Sequence, residues 1–282
     1  MRLAIAALAL LGACTTPDPS DPRREDGDPG DGTFVPTGVP PASPHLALGA
    51  PVDGTPDDDT LIAHEEFQLG YSRFLNAPSW VSWRTRRGDY GPVDRFSGDF
   101  SADDRLPTDY YHPVHDDLTN SGFDRGHMVR SEERTRTADS NRATFVMSNV
   151  LAQRADLNRG PWYDFERYVQ REVGEGRDAY MLAGPIWSAA CATHAPRVPG
   201  DGCRDHGRSE DPQRRIAIPE ATWKIVVFVR AGVALDAPSS DAYVIAVRMP
   251  NIEGIRRDDW YEYRVKVSAL EAETGYDFVT LE

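Results

Sequence analysis

The chain has 282 residues, 40% of them hydrophobic and 10% aromatic, enough for one large domain or two small ones with a real core. Its 31 Lys and Arg stand against 45 Asp and Glu, a formal net charge of -14, which excludes a protein that grips nucleic acid through a broad basic face. Local charge, not total charge, has to meet any anionic substrate.

The chain opens MRLAIAALALLGAC, with one cation at Arg2, a short apolar run and then small residues, the layout of a bacterial export signal. The run is too short to persist as a membrane-spanning helix. Leu11-Gly12-Ala13-Cys14 resembles the lipobox of bacterial lipoproteins. That resemblance implies a signal at residues 1–13 and a lipid on Cys14 that ties the protein to the cell envelope; an ordinary secretory signal is the alternative. Thr15 and Thr16 offer no Asp retention signal, which favours the outer membrane in a Gram-negative source. Residues 14–61 are rich in Pro, Asp, Gly and Ser and predict a disordered tether. The folded domain is expected over 62–282.

Within that domain, β-branched and aromatic runs predict strands at Ser79 to Trp83, Ala143 to Met147, Ala179 to Ile186, Trp223 to Val229 and Tyr243 to Val247. A helix is predicted from Pro161 to Val173, with Pro161 in the first turn and Trp162, Phe165, Tyr168 and Val169 on one face. A second is predicted from Val267 to Thr274, ended by Gly275. Strands outnumber helices and do not alternate with them, so the class is α+β, an antiparallel sheet with helices on its faces. Cys191 and Cys203 remain after Cys14. In an exported protein they predict a disulfide, while Cys191-Ala-Thr-His194 and Cys203-Arg-Asp-His206 leave open a structural zinc held by two thiolates and two imidazoles.

Hydrolysis of a phosphodiester needs a base for the water, cations for the charge growing on the phosphoryl oxygens, and help for the departing alkoxide. The segment from Gly122 to Val169 offers all three. Between Ser121 and Glu175 nine Arg balance nine Asp and Glu, and every cation is a guanidinium.

This segment closely resembles the DNA/RNA non-specific endonucleases, the ββα-metal (His-Me finger) nucleases with a D-R-G-H signature. The landmarks are Asp124-Arg125-Gly126-His127, Thr144-Phe145, Ser148-Asn149, Gln153, Asn158 with Gly160-Pro161-Trp162, and Glu166. Weaker echoes reach Trp80-Val81-Ser82, Gly184-Pro185 and Thr274-Gly275, so the likeness runs from about Gly70 onward. It implies a central antiparallel sheet flanked by helices and an enzyme that hydrolyses DNA and RNA with little sequence specificity, leaving 5′-phosphate and 3′-hydroxyl ends. It implies His127 as general base, which suits an imidazole with an ordinary pKa of about 6.5. It implies Asn158 as direct ligand of one Mg²⁺, with Mn²⁺ or another divalent cation able to substitute, since a hard ion that keeps its waters suits one amide oxygen. Glu166 is implied to hold that ion through water. Arg125 and Arg95 are implied to bind phosphate, with Arg105 the competitor for the second role. Asn149 is expected to orient the site by hydrogen bonding, and Asp124 to fix Arg125 or the local backbone.

The chain departs from the family pattern at Arg130, where many relatives carry Pro, at Glu133, where they carry Asp, and at Ala152, where they carry Pro. These are read as loop-shaping positions. The rival enzyme reading is a zinc hydrolase on His112-Pro-Val-His115 with Asp116 and Asp117, weakened by Pro113. A reading from another class is a degenerate member of the family that binds nucleic acid or a partner without cutting.

Overall fold

A computed structural model describes residues 43–55, 58–191, 193–235 and 241–278. The expected export signal, Cys14 and most of the expected tether lie outside the described residues.

The long apolar runs become one seven-stranded antiparallel sheet. In chain order its strands are β1 (Asp59–Ala63), β2 (Gln68–Ser72) and β3 (Ala77–Thr85). Two short strands, β4 (Asp124–His127) and β5 (Val150–Gln153), form a separate pair. The large sheet resumes with β6 (Arg177–Ile186); β7 (Asp205–His206) and β8 (Ile216–Ala217) make another small pair, and β9 (Ala221–Arg230), β10 (Tyr243–Pro250) and β11 (Arg264–Val265) complete the large one. Its spatial order is β1-β2-β3-β6-β9-β10-β11.

Both faces of this sheet are covered, and so its strands read as continuous apolar runs rather than alternating ones. Along β9, Val226 and Phe228 enter one core while Trp223, Ile225, Val227 and Val229 enter the other. The first core is roofed by the β4–β5 pair and by helix α3 (Pro161–Gly174), whose Trp162, Phe165, Tyr168 and Val169 are all buried. The second is closed by helix α4 (Val267–Thr274) and by Leu48. Gly275 ends α4 with φ of 81°, the left-handed conformation that favours glycine.

Two expectations are corrected. The domain begins before residue 62: Ser82 donates a hydrogen bond to the His45 carbonyl, Leu48 is buried, and Val52 pairs with Asp277. The run Ala143 to Met147 is not a strand. It follows a short helix, α1 (Ala138–Ala143), and its backbone groups are taken locally, Thr144 N–H by the Asn141 carbonyl and the Thr144 carbonyl by the Asn149 amide. Only a single bridge, Ser101 to Val146, remains of sheet-like pairing there.

Cys191 and Cys203 are joined in a disulfide. The thiolates a zinc site would need are thereby consumed, and the zinc alternative with His194 and His206 is set aside. The bridge closes a loop with a sequence separation of 12. Beneath it, buried Arg197 pairs with Asp201 and Asp205 and donates to the Cys203 carbonyl. Replacing both cysteines by serine is expected to lower unfolding stability by about 3 kcal/mol. Urea denaturation of the two proteins under non-reducing conditions checks this.

Candidate active site

β4 is the strand that carries the D-R-G-H residues. Arg125 and His127 lie two apart on it and so project to the same side. Its glycine is demanded by packing, because a Cβ on Gly126 would lie 2.0 Å from Oε1 of Gln153. Gln153 is fully buried and hydrogen-bonded to Thr222 in β9, so it has no room to retreat. Asn149 fixes the chain just beyond β4 by exchanging two hydrogen bonds with the Val129 backbone.

His127 stands at the floor of a cleft of about 340 Å³. Its ring packs between Phe100 and Phe145, at centroid distances of 4.8 and 4.9 Å. Nε2 is buried and makes no hydrogen bond among the described residues. Burial, helped by the nearby Arg95 cation, pulls the pKa of the ring down to about 3. The imidazole is therefore neutral at physiological pH, with a lone pair to offer.

Opposite His127, the short helix α2 (Ala155–Asn158) delivers Asn158 to the cleft. Asp124, expected from the sequence to fix Arg125 or the local backbone, is instead turned to Asn158 and Arg159. It accepts a 2.9 Å hydrogen bond from Asn158 Nδ2 and a bidentate pair from Arg159. With its N–H committed to Asp124, the Asn158 amide keeps its carbonyl oxygen for another partner. Glu166, one turn into α3, reaches the same cleft from a buried position. Burial pushes its pKa up to about 7 against the pull of Lys224 and Arg130, whose nitrogens lie 3.4 and 3.7 Å from its two oxygens. Lys224 comes from β9, is fully buried, and rests 4.1 Å from the Trp162 ring.

Arg125 and Arg95 enter from the rim. Arg125 donates to the His115 carbonyl and to Thr119, and Arg95 sits over the Phe145 ring and donates to Ser131. Arg105 does not line the cleft. Of the sequence candidates, five share the cleft: Arg95, Arg125, His127, Asn158 and Glu166. Asn149 does not; it is a support behind β4. Arg130, Glu132, Arg159 and Tyr163 also line the cleft and were not foreseen. Arg130 is more than a loop-shaping residue, because its side chain bridges Glu132 and Glu166. Its departure from the family's Pro, three residues after His127, was the available signal.

The donor set suits a hard divalent cation. An oriented amide oxygen and a neighbouring carboxylate are oxygen ligands, and they leave most positions to water, as Mg²⁺ prefers. The rival histidines are otherwise engaged: His112 Nε2 meets the Pro107 carbonyl, His115 Nδ1 accepts from Phe100 N–H, and Asp117 holds Tyr111 and the Val114 N–H.

The family model described as DNA/RNA non-specific endonuclease matches residues 45–281. The chain belongs to that family. A protein named Nuclease, from Nostoc sp., is 32% identical over 247 residues, covering 86% of this chain and 82% of the relative. Mitochondrial endonuclease G of Bos taurus is 26% identical over 227 residues, covering 80% and 71% of the two chains. Among solved structures, that of an EndoG/EndoGI complex superposes with a TM-score of 0.66 at 22% identity, over 83% of this chain and 89% of that one. The chain thus has the ββα-metal nuclease fold, and it is an enzyme that hydrolyses nucleic acid.

Proposed function

We propose that this nuclease is a divalent-metal-dependent endonuclease that cuts both DNA and RNA with little regard for sequence. The observation that carries the reading is the neutral, unpartnered Nε2 of His127 facing, across one cleft, an amide turned by Asp124 and a carboxylate backed by Lys224. His127 takes a proton from the attacking water as its oxygen bonds to phosphorus and the bond to the 3′ oxygen breaks. An arriving phosphate favours the imidazolium form and so opposes the depression of the ring's pKa. Arg95 and Arg125 hold the phosphoryl oxygens. Asn158 directly, and Glu166 through water, would hold a Mg²⁺-type ion, and that ion would supply positive charge for the phosphoryl and departing oxygens. All of these groups address the phosphate backbone, which is common to every sequence and to both sugars. Ends with 5′-phosphate and 3′-hydroxyl follow from this direction of cleavage. Attachment to the cell envelope through a lipid on Cys14 belongs to the same reading, supported by the Leu11-Gly12-Ala13-Cys14 sequence.

Incubation with supercoiled plasmid and with single-stranded RNA is the direct test. Both are expected to be degraded with Mg²⁺ and to survive in EDTA. A folded protein that leaves both intact with Mg²⁺, Mn²⁺ or Ca²⁺, yet retards plasmid on a gel, would be a binding module instead.

A further inference from the structure

The turn that follows β4 places a carboxylate where a substrate phosphate has reason to be. Glu132 presents Oε1 to Arg95 Nη1 at 3.6 Å and Oε2 to Arg130 Nε at 3.0 Å. Ser131 Oγ donates to the same Oε2 at 3.1 Å while accepting from Arg95. Two guanidinium groups and a hydroxyl thus converge on one pair of anionic oxygens, at the side of the cleft that contains His127.

We infer that Arg95 and Arg130 form a single phosphate subsite beside His127, and that the Glu132 carboxylate occupies it as a built-in competitor until a backbone phosphate displaces it. This rests on the nuclease reading of the cleft and names a binding group, Arg130, and a competitor, Glu132, that the family resemblance does not supply.

Arg130 is fixed before any substrate arrives. Arg130 is only 8% exposed; its Nη1 donates to Gln170 at 3.2 Å and its guanidinium lies over the Tyr163 ring at 5.3 Å. Arg95 lies 4.9 Å over the Phe145 ring, the same ring that packs edge-on against His127. A phosphate held by both would therefore sit within the reach of the base. Glu132 has 37% of its side chain exposed, so it has solvent to turn into when a phosphate takes its place. Burial works against its charge, but Arg130, a backbone hydrogen bond, Arg95 and Ser131 together outweigh it and keep its pKa below the usual carboxylate range, so the competitor is ionised at neutral pH.

The exchange is chemically even. A carboxylate and a phosphodiester each carry one negative charge and each offer two oxygens to a guanidinium fork. Displacing Glu132 leaves no buried charge unpaired, because the phosphate inherits Arg130 and Glu132 becomes solvated. The expected consequence is weaker binding and easier product release than two open arginines would give.

The test is fluorescence anisotropy of a labelled single-stranded DNA oligonucleotide at low salt, in EDTA so that nothing is cut. Glu132→Gln and Glu132→Ala are each expected to bind about tenfold tighter than wild type, and Arg130→Gln about tenfold weaker. In the Arg130→Gln background, removing Glu132 frees Arg95 alone and is expected to give a clearly smaller gain. Glu175→Gln, exposed and outside the cleft, reports the effect of net charge alone and is expected to match wild type. Unchanged affinity in both Glu132 variants, or a gain of the full size that persists without Arg130, overturns the subsite. Plasmid cleavage by wild type with Mg²⁺ separates the two levels. Cleavage without a Glu132 effect removes the subsite alone, whereas a Glu132 effect in a protein that cuts nothing removes the nuclease reading and leaves the subsite.

Discussion

Replacing His127 by alanine is expected to lower kcat by about 10²–10⁴-fold, the range that a positioned general base contributes. The loss should appear in kcat rather than in oligonucleotide affinity, because Arg95, Arg125 and Arg130 remain to hold phosphate. The same variant carries a second signature. The His127 ring protonates near 3 in the native protein, whereas in the unfolded chain it protonates near its ordinary 6.5. A native pKa below the unfolded one means that the unfolded state binds the proton first, so stability is present above 6.5 and is lost as pH falls. By pH 5 this one ring accounts for about 2 kcal/mol. His127→Ala should therefore lose less stability than wild type between about pH 7.5 and pH 5, as urea midpoints would show. His45, held near 4 by its own burial, titrates in both proteins and cancels in the difference. An alanine variant that keeps wild-type turnover, or the full acid slope, would take the base away from this residue.

The largest stability effect is expected at Lys224. It is a fully buried ammonium on the inner face of β9, stacked beside Trp162 and Trp83 and paired with Glu166. Lys224→Met fits the same space but leaves Glu166 buried with Arg130 as its only close cation among the described residues. Breaking a buried pair on one side costs about 3–5 kcal/mol. Because Glu166 titrates near 7, the comparison belongs at about pH 8, where the carboxylate is charged, and in EDTA so that no cation replaces the ammonium. Adding Glu166→Gln should then recover part of the loss, since a neutral amide needs no counterion. If Lys224→Met is as stable as wild type and the second substitution changes nothing further, the ion pair is not what holds Glu166.

Four strands of the large sheet, β3, β6, β9 and β10, and the helices α3 and α4 were legible because their patterns are long, whereas the shorter β1, β2 and β11 were not foreseen. β6, β9 and β10 extend the predicted runs by a few residues at most, α3 begins at Pro161, and α4 stops before Gly275. What escaped was short. β4 and β5 have four residues each, too few for a period to show, and β4 is spent on Asp, Arg, Gly and His rather than on core formers. The run from Ala143 misled because its composition is that of a strand, yet Asn141 and Asn149 take up the backbone groups a neighbouring strand would have used. The cleft divided in the same way. Arg95, Arg125, His127, Asn158 and Glu166 were found through motif order, whereas Lys224 lay hidden inside an apolar strand. Arg130 and Glu132 were visible as letters but not as partners, since nothing in one sequence says which charges a turn will bring together.

The asymmetry between the reacting groups and their supports has a consequence for biosynthesis. All but one of the residues given a chemical part fall between Arg125 and Glu166, and Arg95 lies only 30 residues earlier. Their anchors come later: Thr222 holds Gln153, Lys224 holds Glu166, and Asn251 ties the carbonyls of Ala152 and Pro219 together while accepting from Arg154 N–H. A chain halted near residue 210 would own every reactive group and none of these clamps. Catalytic competence is therefore expected only of a polypeptide that has been extended past Asn251.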